Sequence, residues 1–253
     1  MKSVSENLEV LHQAPPRRAR TADEPATLVD VFLRVARVHK RPDTLNYKRD
    51  GRWIAISSDE MLARAKRIAA GLHAIGLRRG DRIALLSESR VEWTLTDAGC
   101  IFGGIIDVPI YPTLAPPQVR YILNDSGASA LFVEGRAKFD ELKPILPECP
   151  HVKHIVYLDT DGMSAAEGLS LAELEELGRQ FQEKEPGRTD ELAHQITPDD
   201  LATIIYTSGT TGEPKGVMLT HSNIVTNLID STDHLEFGEA DAALSVLPLS
   251  HVY

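Results

Sequence analysis

The sequence has little of three features that mark particular classes of protein: cysteine, long apolar runs and net positive charge. Its 253 residues include only Cys100 and Cys149, without the Cys-x-x-Cys or Cys/His spacing that holds zinc. No stretch reaches the ~20 apolar residues of a membrane span, and the first residues lack the apolar core of a signal peptide. We therefore expect a soluble protein in a reducing, cytoplasmic compartment, with a peripheral membrane contact left open.

Positive charge is also scarce. The chain has 27 Lys and Arg against 37 Asp and Glu, which gives a formal net charge of -10. This sign is wrong for a protein that binds a nucleic acid through its phosphate backbone, so a nucleic-acid partner is disfavoured. With 42% hydrophobic and 25% charged residues, the composition is that of a globular protein.

The first ordered elements are predicted after a polar N-terminal tail, residues 1–26. Apolar residues recur at helical spacing from Thr27 to His39, which predicts a helix. Asp50-Gly51 separates two strand-like runs and predicts a β-hairpin, because glycine accepts a positive φ at little cost. A second apolar stripe from Met61 to Ile75 predicts another helix, with Gly76 as its C-terminal cap.

Beyond these elements, short apolar runs alternate with helical patterns. The runs are RIALLS, IDVPI, ALFVE, HIVYLD and LATIIY. Strands that alternate with helices are typical of βαβ units, so we predict an α/β fold, a layered domain with a mainly parallel sheet flanked by helices. The polar stretch 182–197 is predicted to be a surface connection, and Trp53 and Trp93 are predicted to lie in the core.

One segment is typical of a phosphate-binding site. It runs Tyr206-Thr-Ser-Gly-Thr-Thr-Gly-Glu-Pro-Lys-Gly216, after the strand LATIIY and before VMLTHSNIV, which is predicted to start a helix capped near His221 or Ser222. A strand, a polar loop and a helix present backbone N–H groups to an anion. Glycines allow close approach of the backbone, hydroxyls donate, and a lysine supplies charge. The residues concerned are Thr207, Ser208, Gly209, Thr210, Thr211, Gly212, Lys215 and Gly216.

Two other interpretations of this segment can be weighed. A flexible Ser/Thr/Gly loop with an incidental lysine would have this composition, but it does not explain the order of the residues. A P-loop requires Gly-Lys followed by Ser or Thr, whereas Pro214 precedes Lys215 and Gly216 follows it. The spacing therefore rejects the P-loop, and a polyphosphate clamp of another kind remains.

Residue for residue, the segment resembles the phosphate-binding signature of the adenylate-forming superfamily. Two other segments support the resemblance: SVLPLSHVY at 245–253 is similar to a Pro-x-x-His stretch of that superfamily, and residues 80–134 are similar to its first subdomain. Within that superfamily, the sequence of residues 80–134 most resembles bacterial long-chain fatty acid–CoA ligases. The resemblance thus identifies residues 27–253 as an incomplete AMP-binding N-terminal domain.

The resemblance implies a reaction in two halves. A carboxylate attacks the α-phosphate of Mg-ATP to give an acyl-adenylate and pyrophosphate, and the thiol of CoA then displaces AMP. ATP, Mg²⁺ and CoA are the implied cofactor and co-substrates, and a fatty acid is the implied substrate. The resemblance places Thr207, Ser208, Gly209, Thr210, Thr211, Gly212 and Lys215 around the phosphates, and one of the hydroxyls is a candidate ligand of Mg²⁺.

His251 and Tyr253 are the remaining candidates. An isolated histidine is often a hydrogen-bonded core residue, but the resemblance implies that His251 lies near the carboxylate and the acyl pocket. Since a carboxylate substrate is already ionised at neutral pH, a positioning or gating role is favoured over a general base. Tyr253 is a second candidate for contact with the substrate. No set of side chains is predicted to hold a metal by itself.

The family's other catalytic residues, including a Glu for magnesium and the adenylation lysine, are expected further along than Tyr253. We therefore expect residues 1–253 to be inactive alone. Two alternatives stay open at this stage: another adenylate-forming ligase, for an aryl or medium-chain acid, and a catalytically silent phosphate-binding fragment.

Overall fold

The computed structural model describes residues 21, 23–207, 213–232, 238 and 241–251. Most of the predicted N-terminal tail lies outside these ranges. The first described helix, α1 (Leu28–Arg37), is followed by the hairpin strands β1 (Leu45–Arg49) and β2 (Arg52–Ile56). Asp50 and Gly51 both have positive φ, 51° and 76°, as the two-residue turn requires. The predicted hairpin is confirmed, and the first helix ends two residues earlier than predicted.

The rest of the described chain alternates helices and strands. The helices are α2 (Ser58–Ala74), α3 (Val91–Gly103), α4 (Pro116–Ser126), α5 (Arg136–Leu142), α6 (Leu171–Lys184), α7 (Arg188–His194) and α8 (His221–Thr232), with a 3₁₀ turn at Leu146–Glu148. The strands are β3 (Arg82–Leu86), β4 (Ile106–Ile110), β5 (Ala130–Val133), β6 (His154–Tyr157), β7 (Leu169–Ser170), β8 (Leu201–Thr207) and β9 (Lys215–Thr220).

Strands β3 to β9 form one seven-stranded sheet in the order β7-β6-β5-β3-β4-β8-β9. Each neighbouring pair is parallel except β8 and β9, which are antiparallel. This confirms the predicted α/β fold with a mainly parallel sheet. The chain steps from β3 to β4 on one side and then returns to β5 on the other, which is the kind of reversal at which open α/β sheets bind ligands.

Helices cover both faces of the sheet. On one face α2, α3 and α6 pack on alternate strand residues, including Leu72, Leu95 and Leu174 against Leu85 and Phe132. On the opposite face α4 and α5 pack on the intervening residues, such as Val108 and Leu131. Because both faces are covered, β4 and β5 are buried along their whole length, as their continuous apolar sequences indicate.

The structure corrects three expectations. The stretch 182–197, predicted to be a surface connection, contains the end of α6 and all of α7. Trp93 is buried as predicted, but Trp53 is 64% exposed on the hairpin. The segment after the phosphate-binding motif begins as strand β9, and the helix starts only at His221. None of the helices that the structure describes is long and apolar enough to cross a membrane.

Candidate functional site

The predicted site lies at the carboxyl ends of the central strands. Thr207 is the last residue of β8, and Tyr111 directly follows β4, the neighbour of β8 in the sheet. Loops that leave this edge of a parallel sheet are the usual location of a ligand site in α/β proteins. Of the predicted phosphate-binding residues, Thr207 and Lys215 are described, whereas Ser208, Gly209, Thr210, Thr211 and Gly212 lie outside the described residues.

The two ends of the phosphate-binding segment are held together by strand pairing. Thr207 is the register partner of Lys215 in the antiparallel β8–β9 ladder. The segment 208–214 is therefore closed at its base, and Lys215 stands exposed at that base. The prediction of a loop between a strand and a helix is wrong: the loop joins two strands, and Lys215 belongs to the second of them.

This arrangement changes the source of the anion-binding groups. A helix N-terminus does not follow the loop, since α8 begins after the six residues of β9. The cap of α8 is also one residue earlier than predicted, because Thr220 Oγ1 accepts from the N–H of Asn223 at 3.2 Å and Thr220 N donates to Asn223 Oδ1 at 3.0 Å. The groups left to bind an anion are the loop's own N–H groups, its hydroxyls and the Lys215 ammonium.

Tyr206 anchors the base of the loop on the α4 side. Its hydroxyl donates to Asp125 Oδ2 at 2.6 Å, and its ring meets the ring of Tyr121 edge-on, with centroids 6.4 Å apart. Burial, followed by the bond to Asp125, raises the pKa of Tyr206, so the hydroxyl remains a donor at neutral pH. Sequence analysis missed Asp125, which is separated from its partner by 81 residues and is not part of a local motif.

Gly216 has a packing role. It is the cross-strand partner of Tyr206, and a Cβ added to it would lie 2.8 Å from Ile204 Cγ2 and 3.1 Å from Tyr206 Cζ. A side chain at this position would overlap Ile204 and lie unusually close to the Tyr206 ring. Packing against Ile204 and the Tyr206 ring is thus a reason for glycine at this position in addition to the predicted close approach to phosphate, which stays a prediction.

His251 lies at the same edge of the sheet, beside β4. Its ring is 6.0 Å from that of Tyr111, at an interplanar angle of 71°. The segment that carries His251 crosses the carboxyl end of β3, where the N–H of Leu249 donates to Ser89 Oγ at 3.0 Å. The tertiary structure thus brings His251 to the edge that also carries Thr207 and Lys215. Tyr253 lies outside the described residues.

The described part of the chain contains no group of three or more His, Cys, Asp and Glu side chains that could hold a metal ion.

Comparison with known proteins agrees with this geometry. The sequence profile of the AMP-binding enzymes matches residues 34–253. The long-chain-fatty-acid–CoA ligase FadD15 of Mycobacterium bovis is 35% identical over 222 residues, which are 85% of this chain and 35% of that protein. The chain spans about a third of the length of such curated relatives.

Two solved structures are similar as well. A putative long-chain-fatty-acid CoA ligase from Rhodopseudomonas palustris superposes with a TM-score of 0.70 at 26% identity, covering 89% of this chain and 52% of that one. The anthranilate CoA ligase AuaEII in complex with anthranoyl-AMP superposes with a TM-score of 0.66, also at 26% identity, covering 81% of this chain and 37% of that one.

Proposed function

Because the chain belongs to the AMP-binding enzyme family, we propose that it forms the phosphate-binding part of an ATP-dependent acid–thiol ligase. The proposed reaction activates a carboxylate as an acyl-adenylate and then transfers the acyl group to CoA. The observation that carries the proposal is the pairing of Thr207 with Lys215, which closes a hydroxyl-rich loop at the carboxyl edge of the sheet.

The chemistry of the first half-reaction fits this loop. A carboxylate oxygen of the substrate attacks the α-phosphorus of ATP, and the bond from that phosphorus to the bridging oxygen of pyrophosphate breaks. Negative charge then builds up on the departing pyrophosphate. Hydroxyl and N–H donors of the loop, together with the Lys215 ammonium, stabilise this charge in the proposed reaction. The donors proposed are Thr207, Ser208, Gly209, Thr210, Thr211, Gly212 and Lys215.

Mg²⁺, when bound, would screen the phosphate charges, and the loop hydroxyls are the residues of this chain proposed to reach it. His251 and Tyr253 are proposed to position the acyl substrate. The contact of His251 with Tyr111 supports this role, because it places the imidazole beside the carboxyl end of β4. As a carboxylate substrate is ionised at neutral pH, His251 is not needed as a base.

A long-chain fatty acid is the proposed substrate, since curated relatives that are 30% and 35% identical to this chain over the aligned residues are named for it. An aromatic acid is the second candidate, favoured by the similarity to the anthranilate CoA ligase.

Because the chain spans only about a third of the length of its relatives, residues 1–253 by themselves are proposed to bind nucleotide without completing the ligase reaction. A catalytically silent phosphate-binding fragment would behave in the same way, so activity must be tested in a longer ligase that contains the chain.

The test is a pair of lysine substitutions. Lys215→Ala should weaken binding of ATP and pyrophosphate and slow ATP–pyrophosphate exchange by about tenfold or more, while the free energy of unfolding changes by only about 0.5 kcal/mol, because the residue is an exposed one at a loop base. Lys153→Ala, at another exposed lysine, is the matched control and should change neither ligand binding and exchange nor stability.

Unchanged ATP–pyrophosphate exchange in Lys215→Ala would show that this lysine does not bind the phosphates. Exchange that depends on palmitate, and not on anthranilate, would support the fatty acid.

A further inference from the structure

We propose that Tyr206 and Asp125 are positioning residues for the phosphate-binding loop. Their hydrogen bond ties the end of β8 to α4 and thereby fixes both ends of the loop. The proposal rests on the function proposed above, which assigns the loop to the phosphates. It adds two residues that touch neither nucleotide nor acyl substrate and that act through the base of the loop.

Strand β8 lies between β4 and β9 in the sheet. On one side Asp107 of β4 is opposite Thr203, and on the other side β8 pairs with β9 from Leu201 to Thr207. Strand β9 is at the edge of the sheet and leaves Met218 64% exposed. The loop is thus carried by a hairpin whose second strand is the sheet edge, and a contact with α4 adds support at its base.

Tyr206 connects β8 to α4. Its side chain is 8% exposed and belongs to the core on the α4 face of the sheet. The hydroxyl reaches Asp125 Oδ2 in the last turn of α4 at 2.6 Å, and Tyr121, one turn earlier, packs edge-on against the ring. A helix that is packed along its length on the sheet is a rigid support for the residue that follows, Thr207.

The same ring also fixes the second end of the loop. Gly216 lies opposite Tyr206, with Cζ and Cε2 of the ring 3.1 Å and 3.4 Å from the position of a Cβ on Gly216. Lys215 directly precedes this glycine. The ring therefore packs beside the backbone that immediately follows Lys215. Tyr206 connects α4 to both Thr207 and Lys215.

A fixed base lowers the conformational entropy that Thr207 and Lys215 lose when an anion binds. Preorganised donors lose less conformational entropy on binding than donors on a mobile hairpin. Loss of the hydrogen bond should accordingly weaken phosphate binding more than it weakens the fold. The bond is partly exposed to water, because Asp125 is an exposed residue, so the effect is expected to be moderate.

The first measurement is calorimetric titration of the chain with Mg-ATP and with pyrophosphate. Tyr206→Phe and Asp125→Ala should each raise the Kd about fivefold, and the double variant should show no larger increase than either single change. Asp125→Asn keeps an oxygen that accepts from the Tyr206 hydroxyl, so its Kd should stay within about twofold of wild type. Tyr47→Phe, on the distant hairpin β1–β2, is the matched control and should have no effect.

The second measurement is amide hydrogen exchange, which does not require a bound ligand. Tyr206→Phe should speed exchange in 201–207 and 215–220 and leave the remainder of the sheet protected. Equal exchange in wild type and Tyr206→Phe, or additive Kd changes in the double variant, would overturn the proposal. If the wild-type chain binds neither ATP nor pyrophosphate, the proposed function fails, and the exchange rates still decide whether the tie exists.

Discussion

At the scale of single residues, Asp107 is buried at an unusual cost. It is the second residue of β4, is 1% exposed, and one of its carboxylate oxygens has no hydrogen-bond partner among the described residues. Burial, and then the nearby carboxyl of Asp97 on α3, raises the pKa of Asp107 well above its ordinary value. Burial also raises the pKa of Asp97, to about 7, although part of that residue reaches solvent. Two carboxyl groups in one apolar site cannot both ionise without cost.

We predict that Asp107→Asn stabilises the chain at neutral pH by about 1–3 kcal/mol. The folded-state pKa is above the unfolded-state value of about 3.8, so this group's stabilising contribution is fully present below that value and is lost as the pH rises through the folded pKa. An asparagine amide has no proton to lose and can donate to Thr203 Oγ1, whose residue is the register partner of position 107 and which is itself without a hydrogen-bond partner in the described structure.

Urea unfolding at pH 5 and pH 8 tests this prediction. The advantage of Asp107→Asn over wild type should be larger at pH 8. Asp97→Asn, with the same chemical change at the other carboxyl, should act in the same direction. A variant that is less stable than wild type at pH 8 would show that the Asp107 carboxylate is compensated by an interaction other than a proton.

His221 is a second residue whose protonation is linked to folding. It is buried at the start of α8, and its Nδ1 accepts from the N–H of Leu28 at the start of α1, at 3.2 Å. Desolvation lowers its pKa. Since the unfolded-state pKa is near 6.5 and the folded-state value is lower, stability from this residue is present above about pH 6.5 and is lost as the pH falls.

We predict that His221→Asn flattens this acid dependence. An asparagine oxygen can accept from the N–H of Leu28 but does not titrate, so the difference in free energy of unfolding between variant and wild type should shift by about 1 kcal/mol in the variant's favour from pH 7.5 to 5.5. Only that difference is informative, because the buried His73, whose pKa is also lowered, titrates in both proteins. A difference that is constant with pH would exclude His221 from the linkage.

At the scale of elements, β9 is a strand that the sequence did not predict. From the sequence, VMLTHSNIV is predicted to start a helix capped near His221 or Ser222, and no strand is predicted before that cap. Pairing with β8 along Leu201–Thr207 makes β9 a strand instead. Val217 and Met218 are left exposed on this edge, so burial of β9 itself does not account for the outcome, and the backbone hydrogen bonds to β8 do.

Gly216→Ala distinguishes packing from ligand approach at this position. We predict a loss of stability of about 1–3 kcal/mol, because the new methyl group would overlap Ile204 and lie unusually close to the Tyr206 ring. Thermal unfolding measures the loss, and Val217→Ala at the exposed neighbouring position should change stability by less than about 0.5 kcal/mol. If Gly216→Ala is as stable as wild type but binds ATP poorly, the glycine serves the ligand instead of the ring.

At the scale of the whole molecule, the described surface exposes several large apolar side chains on two segments. Val217 and Met218 lie on the edge strand, and Leu244, Val246 and Leu247 lie on the segment that leads to His251. An edge strand with exposed apolar residues is a template for pairing with another chain. The surface therefore favours association of the isolated chain.

We predict that residues 1–253 associate in a concentration-dependent way and that Met218→Lys on β9 reduces the association. A lysine on an edge strand opposes pairing of a second strand. Light scattering over a concentration series measures the effect, and Trp53→Lys, at an exposed apolar residue of the hairpin β1–β2, is the matched control. A monodisperse wild-type chain would contradict the prediction, and a larger effect of Trp53→Lys would place the contact on the hairpin.

Local patterns in the sequence determined most of the architecture. The apolar runs predicted five strands of the larger sheet, and Asp50-Gly51 predicted its hairpin, because a two-residue turn needs positive φ within those two residues. The order of residues from Tyr206 to Gly216 was sufficient to suggest the kind of ligand. In each case the physical requirement involves neighbours in the chain.

Only the tertiary structure decided what depends on distant partners. Trp53 is exposed because nothing in the described structure covers the hairpin at that point, and β9 is a strand because β8 lies beside it. Tyr206 meets Asp125 because the order of the sheet brings α4 next to β8, although 81 residues separate the two side chains. Apolar periodicity specifies which face of an element is buried, but it does not specify which element will cover that face, and this choice set the base of the phosphate-binding loop.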